Sequence, residues 1–226
     1  MNPRMNKTIA TISLCGAMAL AAPSSHAMAL FDGAFDLNSP LTTFGFVFGP
    51  PFVSGIWAVE NAANVMFSGA ALVNPLSPGR MLRMLNDGLV VTQAGQAVQI
   101  TGGDNITLSA NFTAGAGVAN VTAGLILSFY QGNSSGLLAT TSATINLDSA
   151  PGWQQLSFSA QAPVSADWVV AQVYYNNATL GNEAGYVDNA NLAAVPEPAS
   201  IALFGVGLAG YLLFRRRAAP SPTQRY

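Results

Sequence analysis

The sequence predicts an all-β domain, an antiparallel β-sandwich of the jelly-roll kind, flanked by an N-terminal signal helix and a C-terminal single transmembrane helix. Three observations carry this. Apolar residues alternate with small or polar ones at Ile106, Leu108, Ala110 and Phe112, and again at Val121, Ala123, Leu125, Leu127 and Phe129; successive side chains of a strand point to opposite faces, so this pattern marks half-buried strands. Gly, Asn, Ser and Pro cluster between such segments, at 131–136 and 176–182 for example, where turns belong. No sustained helical period occurs outside the two hydrophobic tags, which removes the βαβ architectures.

In chain order, the first element is the tag at residues 1–29. Arg4 and Lys7 precede an uncharged run of 15 residues, Thr8 to Ala22, followed by small residues. A membrane span needs about 20 residues, so the run fits the apolar core of a cleaved signal peptide better. Ala27 and Ala29 supply the small side chains that cleavage requires, and the mature chain is expected to start at Leu30. The Sec translocon and signal peptidase are the partners this implies. Further strands are expected at 143–147, 154–160, 168–175 and 186–192, which places one domain at residues 30–193.

Removing the signal changes the chemistry available. Cys15, His26 and Lys7 leave with it, so the mature chain has no Cys, His or Lys. A disulfide framework, a Cys or His zinc site, a Ser-His-Asp or Cys-His nucleophile system, a phosphate-loop lysine and a Schiff-base lysine are all excluded. Between Leu30 and Val195 two arginines, Arg80 and Arg83, face nine acids, a formal charge of −7. So negative a domain repels phosphate backbones, which argues against nucleic acid and leaves divalent cations as partners.

The last element is a sorting signal at residues 194–217. Val195-Pro196-Glu197-Pro198 is followed by 16 uncharged residues, Ala199 to Phe214, and then by Arg215, Arg216 and Arg217. At 1.5 Å per residue that helix is about 24 Å long, short of a hydrocarbon core of about 30 Å, and arginines snorkelling to the headgroups relieve the mismatch. The basic cluster stops transfer and stays cytoplasmic with the tail 218–226, so the domain lies outside the inner membrane. Each proline fixes φ and lacks an N–H, which keeps the stretch out of helix and strand and open to an enzyme. The motif, span and basic cluster together resemble the PEP-CTERM sorting domain. The resemblance implies recognition by an exosortase, a membrane cysteine protease-like enzyme, processing near Pro196, Glu197 and Pro198, and delivery to the cell envelope or exopolysaccharide matrix of a Gram-negative biofilm former.

The order of landmarks in the central domain resembles the galactose-binding-like jelly rolls of carbohydrate-binding-module type. Phe31-Asp32-Gly33-Ala34-Phe35-Asp36 is similar to their opening, Gly55-Ile56-Trp57 to their early tryptophan strand, and Gly79 to Met84 to the next strand. Gln96 to Gln99 and Ile106 to Phe112 are similar to the strands after it, and Trp153 to Leu156 and Tyr186 to Leu192 to the closing ones. The resemblance implies a structural calcium ion tying the first strand to the last, with Asp36 and Asp188 as its acidic ligands. The alternative for these two is local hydrogen bonding, Asp36 capping a turn and Asp188 holding a strand end. The family's sugar contacts come from exposed aromatic rings. The aromatic residues available for that role are Trp57, Trp153, Trp168, Tyr130, Tyr174 and Tyr175, with Trp57 and Trp153 placed by their strand patterns in the core, and no choice among the rest. Strand alternation turns only one of Tyr174 and Tyr175 inward.

The functional expectation is an exported, exosortase-sorted cell-surface or matrix protein, non-catalytic, whose jelly roll associates with polysaccharide. No catalytic residue is assigned. Two alternatives stand beside it. A glycan-active enzyme needs only a pair of carboxylates, and the acids exist in number; an adhesive subunit would join strand edges and acidic surfaces through divalent cations.

Overall fold

The computed structural model describes residues 30, 32–35, 42–43, 56–59, 65–68, 75–76, 79–115, 120–132, 135–147 and 152–195. These belong to one compact unit spanning Ala27–Val195. The two hydrophobic tags, with Ala27, Ala29, Pro196, Glu197, Pro198 and Arg215 to Arg217, lie outside the described residues, as does Asp36.

The strands are β1 (Thr42–Thr43), β2 (Ala58–Val59), β3 (Val65–Ser68), β4 (Met81–Leu85), β5 (Val91–Gln99), β6 (Asn105–Ala114), β7 (Val121–Tyr130), β8 (Leu137–Leu147), β9 (Gln154–Gln161), β10 (Trp168–Asn176) and β11 (Ala184–Val195), with a one-turn helix α1 (Asn177–Leu180) between the last two. They form two sheets, β1-β2-β5-β10-β7-β8 and β3-β4-β11-β6-β9. Every pairing is antiparallel except β1 with β2. The expected antiparallel sandwich is therefore the observed architecture.

The alternation in the sequence sets the core. Ile106, Leu108, Ala110 and Phe112 from β6 and Val121, Ala123, Leu125, Leu127 and Phe129 from β7 are buried in one cluster with Val169, Ala171, Val173 and Tyr175 from β10. Trp57 is fully buried there, as its strand pattern implied. Tyr175 spans the layer between the sheets: its hydroxyl lies 2.9 Å from the carbonyl oxygen of Thr113 and 2.7 Å from that of Tyr186, and accepts from the Tyr186 N–H at 3.2 Å. Its ring lies against Gly185, where a Cβ would fall 2.5 Å from a ring carbon, and meets Phe112 edge-on at 5.8 Å between centroids. Burial drives the Tyr175 hydroxyl's pKa far upward, against the smaller opposing effect of its backbone hydrogen bonds.

Strand β11 is longer than expected and irregular. It runs to Val195, which pairs in register with Asn105, and the register shifts between Asp188 and Asn191. An extra residue in a strand reverses which side chains point inward. Val187 faces the core before the bulge, and Ala190 and Leu192 after it. At the bulge Asn189 has φ +49°, and the Ala190 N–H donates to the Gly33 carbonyl at 2.8 Å. Gly33 belongs to a turn closed by Phe35 N–H to Asp32 O at 3.0 Å, and its missing side chain is required because the Ala190 carbonyl occupies the space a Cβ would need. Trp57 Nε1 donates to the Asp32 carbonyl at 3.3 Å, and the Phe35 and Trp57 rings pack at 5.0 Å. The opening of the domain is thus fastened to its closing strand.

The 176–182 cluster, expected as a loop, contains α1. Asn176 caps it by accepting from the Ala178 N–H at 3.0 Å. Buried Asn177 donates to Asp87 Oδ1 at 2.7 Å and to the Leu89 carbonyl at 3.1 Å, and accepts from Thr92 Oγ1 at 2.8 Å.

Candidate functional site

The outer face of the six-stranded sheet brings together side chains that sequence spacing left unassigned. On β10, Trp168, Val170, Gln172 and Tyr174 share the face opposite the core, and the register places Trp168 beside Tyr130 of β7 and Gln99 of β5, Val170 beside Ser128 and Ala97, Gln172 beside Ile126 and Gly95, and Tyr174 beside Gly124 and Gln93. Partly exposed Trp168 and Tyr130 pack on buried Val170 and Ala97, so their rings rest on an apolar floor. At the other end, the partly exposed Tyr174 ring covers Gly124, where a Cβ would meet it at 2.5 Å. Between these stations Gln172 Nε2 donates to Gln93 Oε1 at 3.1 Å. Beyond Tyr130, Ser128 and Thr140 share a hydrogen bond at 3.2 Å, and β8 presents exposed Thr140, Ser142, Thr144 and Asn146 along the same side.

The Trp168 end is braced by Asp167, whose N–H donates to the Tyr130 carbonyl at 3.0 Å, whose carbonyl accepts from the Ile100 N–H at 2.9 Å, and whose Oδ1 accepts from the Gly132 N–H at 2.8 Å. Strands β5, β7, β8 and β10 contain no charged residue. Desolvation raises the pKa of Tyr130, outweighing its hydrogen bond with Ser128, and desolvation also raises that of Tyr174. Both hydroxyls are neutral donors and acceptors at physiological pH. Flat rings alternating with amides and hydroxyls suit a ligand with apolar ring faces and many hydroxyl groups.

The remaining sequence candidates fall elsewhere. Trp57 and Tyr175 lie in the core. Trp153 packs with Met81, Ala184 and Tyr186 on the outer side of the other sheet. Buried Asp188 accepts from the Leu76 N–H at 2.8 Å through Oδ2 and from the Asn189 N–H at 2.7 Å through Oδ1, holding the β11 bulge. Calcium takes six to eight oxygens. Among the described residues no group of three or more acidic, His or Cys side chains gathers, and Asp36, the other expected ligand, lies outside them.

The ladder of β11 ends at Val195, and the next residues are the Pro-Glu-Pro stretch. Residues 194–217 match the PEP-CTERM protein-sorting motif. The motif implies an exported chain that is anchored at a membrane and then sorted. Among the described residues no helix is long and apolar enough to cross a membrane, and the expected span, 199–214, lies outside them. No curated protein matches the chain. Among solved structures, the CBM22-1 xylan-binding domain from Paenibacillus barcinonensis Xyn10C superposes with a TM-score of 0.54 at 11% identity, over 78% of this chain and 99% of that one. The CBM22-1-CBM22-2 tandem domain of the same protein gives a TM-score of 0.51 at 11% identity, over 78% of this chain and 48% of that one. The chain is therefore similar in fold to these carbohydrate-binding modules.

Proposed function

We propose that this PEP-CTERM chain is an exosortase-sorted, non-catalytic polysaccharide-binding protein of the cell envelope or extracellular matrix. The sorting half rests on the motif match at 194–217. The binding half rests on one observation, the uncharged face where Trp168, Tyr130 and Tyr174 flank paired amides. A lectin-like role suits a face with rings and hydrogen-bonding groups whose strands carry no carboxylate to act as acid or base. Export would use the signal peptide at 1–29 and the Sec translocon. The helix 199–214 would hold the chain in the inner membrane with Arg215 to Arg217 inside until an exosortase acts near Glu197. The reading includes a structural calcium ion shared by Asp36 and Asp188, which would make the melting temperature fall on chelation in the wild type and not in Asp188→Asn.

The test of sorting is the intact mass of the protein recovered from cell surface and medium. The wild type is expected to lack the segment beyond Pro-Glu-Pro and the Glu197→Ala variant to keep it; equal masses retaining Arg215 to Arg217 would refute processing. The test of binding is retardation of the full-length protein in native gels cast with soluble polysaccharide. Unchanged mobility with every polysaccharide would refute that half.

A further inference from the structure

Resting on the polysaccharide-binding reading, we infer that the ligand is an uncharged polymer laid along β10, engaged at both Trp168 and Tyr174. The geometry supplies the length. The two residues are six apart on one strand and on the same face, a separation of about 20 Å at roughly 3.3 Å per residue. A single sugar can cover one station and not both. The row between them is continuous: the apolar floor of Val170, then the Gln172–Gln93 amide pair, then the Tyr174 ring on Gly124.

The charge pattern supplies the class. A polyanion needs cations on the face, and the domain's two arginines are elsewhere: Arg83 lies on β4 in the opposite sheet and Arg80 precedes it. The nine acids of the domain repel a polyanion further. A polycation would need carboxylates on the face. The strands that build it have none, and Asp167 at its rim commits one oxygen to the Gly132 amide. What the face offers is ring stacking and neutral hydrogen bonds, which favour hydroxyl-rich, uncharged chains.

The experiment is native gel retardation and calorimetry on the full-length protein with three probe classes: neutral polymers (xylan, β-1,4-galactan, mixed-linkage β-glucan), anionic polymers (alginate, polygalacturonate) and cationic chitosan. At least one neutral polymer is expected to bind, with an affinity independent of salt. Its monosaccharide should bind far more weakly. Trp168→Ala and Tyr174→Ala should each lower polymer affinity about three- to tenfold, the value of one aromatic contact. Trp168→Phe and Tyr174→Phe retain a ring and the local packing, and equal melting temperatures across the four variants separate lost contact from lost fold.

Salt-sensitive binding of alginate, polygalacturonate or chitosan in place of the neutral polymers would overturn the inference on charge while leaving the glycan-binding reading intact. A polymer affinity lost with Trp168→Ala and untouched by Tyr174→Ala would overturn the placement along β10. Failure to bind any of the three classes would remove the polysaccharide reading itself.

Discussion

Replacing Tyr175 by Phe deletes one oxygen atom and tests how the two sheets are joined. In the native fold that oxygen carries one proton, which can satisfy either the Thr113 carbonyl at 2.9 Å or the Tyr186 carbonyl at 2.7 Å, and it accepts from the Tyr186 N–H at 3.2 Å. The variant therefore loses one donated and one accepted bond at a fully buried position. An unsatisfied buried group costs about 1–3 kcal/mol, so a net loss of roughly 2–4 kcal/mol is expected after partial relaxation of the β6–β11 ladder. For a domain of this size that is a fall in melting temperature of about 5–12 °C. Thermal and urea unfolding of wild type and variant, followed by circular dichroism, measure it. The pH dependence gives a second readout. Unfolded tyrosine releases its proton near pH 10, whereas burial keeps Tyr175 protonated well above that. Its contribution is fully present below pH 10 and declines above it, by about 1.4 kcal/mol per pH unit. The stability gap between wild type and variant should thus be widest below pH 10 and narrow above it. A melting shift under about 1 °C would mean the ladder closes on itself without the hydroxyl, and a gap constant from pH 9 to 11 would refute the burial argument.

Three further outcomes are expected. Gly33→Ala puts a Cβ into the Ala190 carbonyl and parts the opening turn from the β11 bulge, costing about 1–3 kcal/mol in urea unfolding. Gly124→Ala lifts the Tyr174 ring from the outer face, so it should leave the melting temperature within a few degrees of wild type while weakening polysaccharide retardation. Asn177→Ala removes its bonds to Asp87 Oδ1, the Leu89 carbonyl and Thr92 Oγ1 at a buried site, and because Thr92 keeps the Leu85 carbonyl and Asp87 keeps the Leu89 N–H, stability should fall by about 1–2 kcal/mol, chiefly by loosening α1 from β5.

The strands that the sequence marked most clearly are those with one face in the core. In β6 and β7 the alternation of Ile106 to Phe112 and Val121 to Phe129 maps directly onto burial, because each is flanked on both sides in its sheet and covered on one face only. Elsewhere the local pattern was a weaker guide. The first half of β8, Leu137 to Thr140, carries no alternation because it sits at an edge with both faces in water. Helix α1 is a single turn, too short for any period, and is held by Asn177 contacts to residues far away in sequence. The bulge of β11 inverts its own pattern after Asp188. The candidate face was legible only as a pool of aromatics. Which of them share a surface depends on the pairing of Trp168 with Tyr130 and of Tyr174 with Gly124, and register between distant segments leaves no mark on either segment alone.

The placement of β11 decides how the domain would bear a mechanical load. The strand sits in the middle of its sheet, bonded to β4 on one side and to β6 on the other, and its final residue abuts the Pro-Glu-Pro stretch. Tension entering at residue 196 along the strand axis would shear many interstrand hydrogen bonds together. An edge strand loaded from its end crosswise would instead peel open one bond at a time. A pull on the residues after Val195 would thus be taken up by a central strand, while the aromatic face belongs to the other sheet, so a drag on polymer bound there and a pull on β11 would be borne by different layers, bridged by Tyr175.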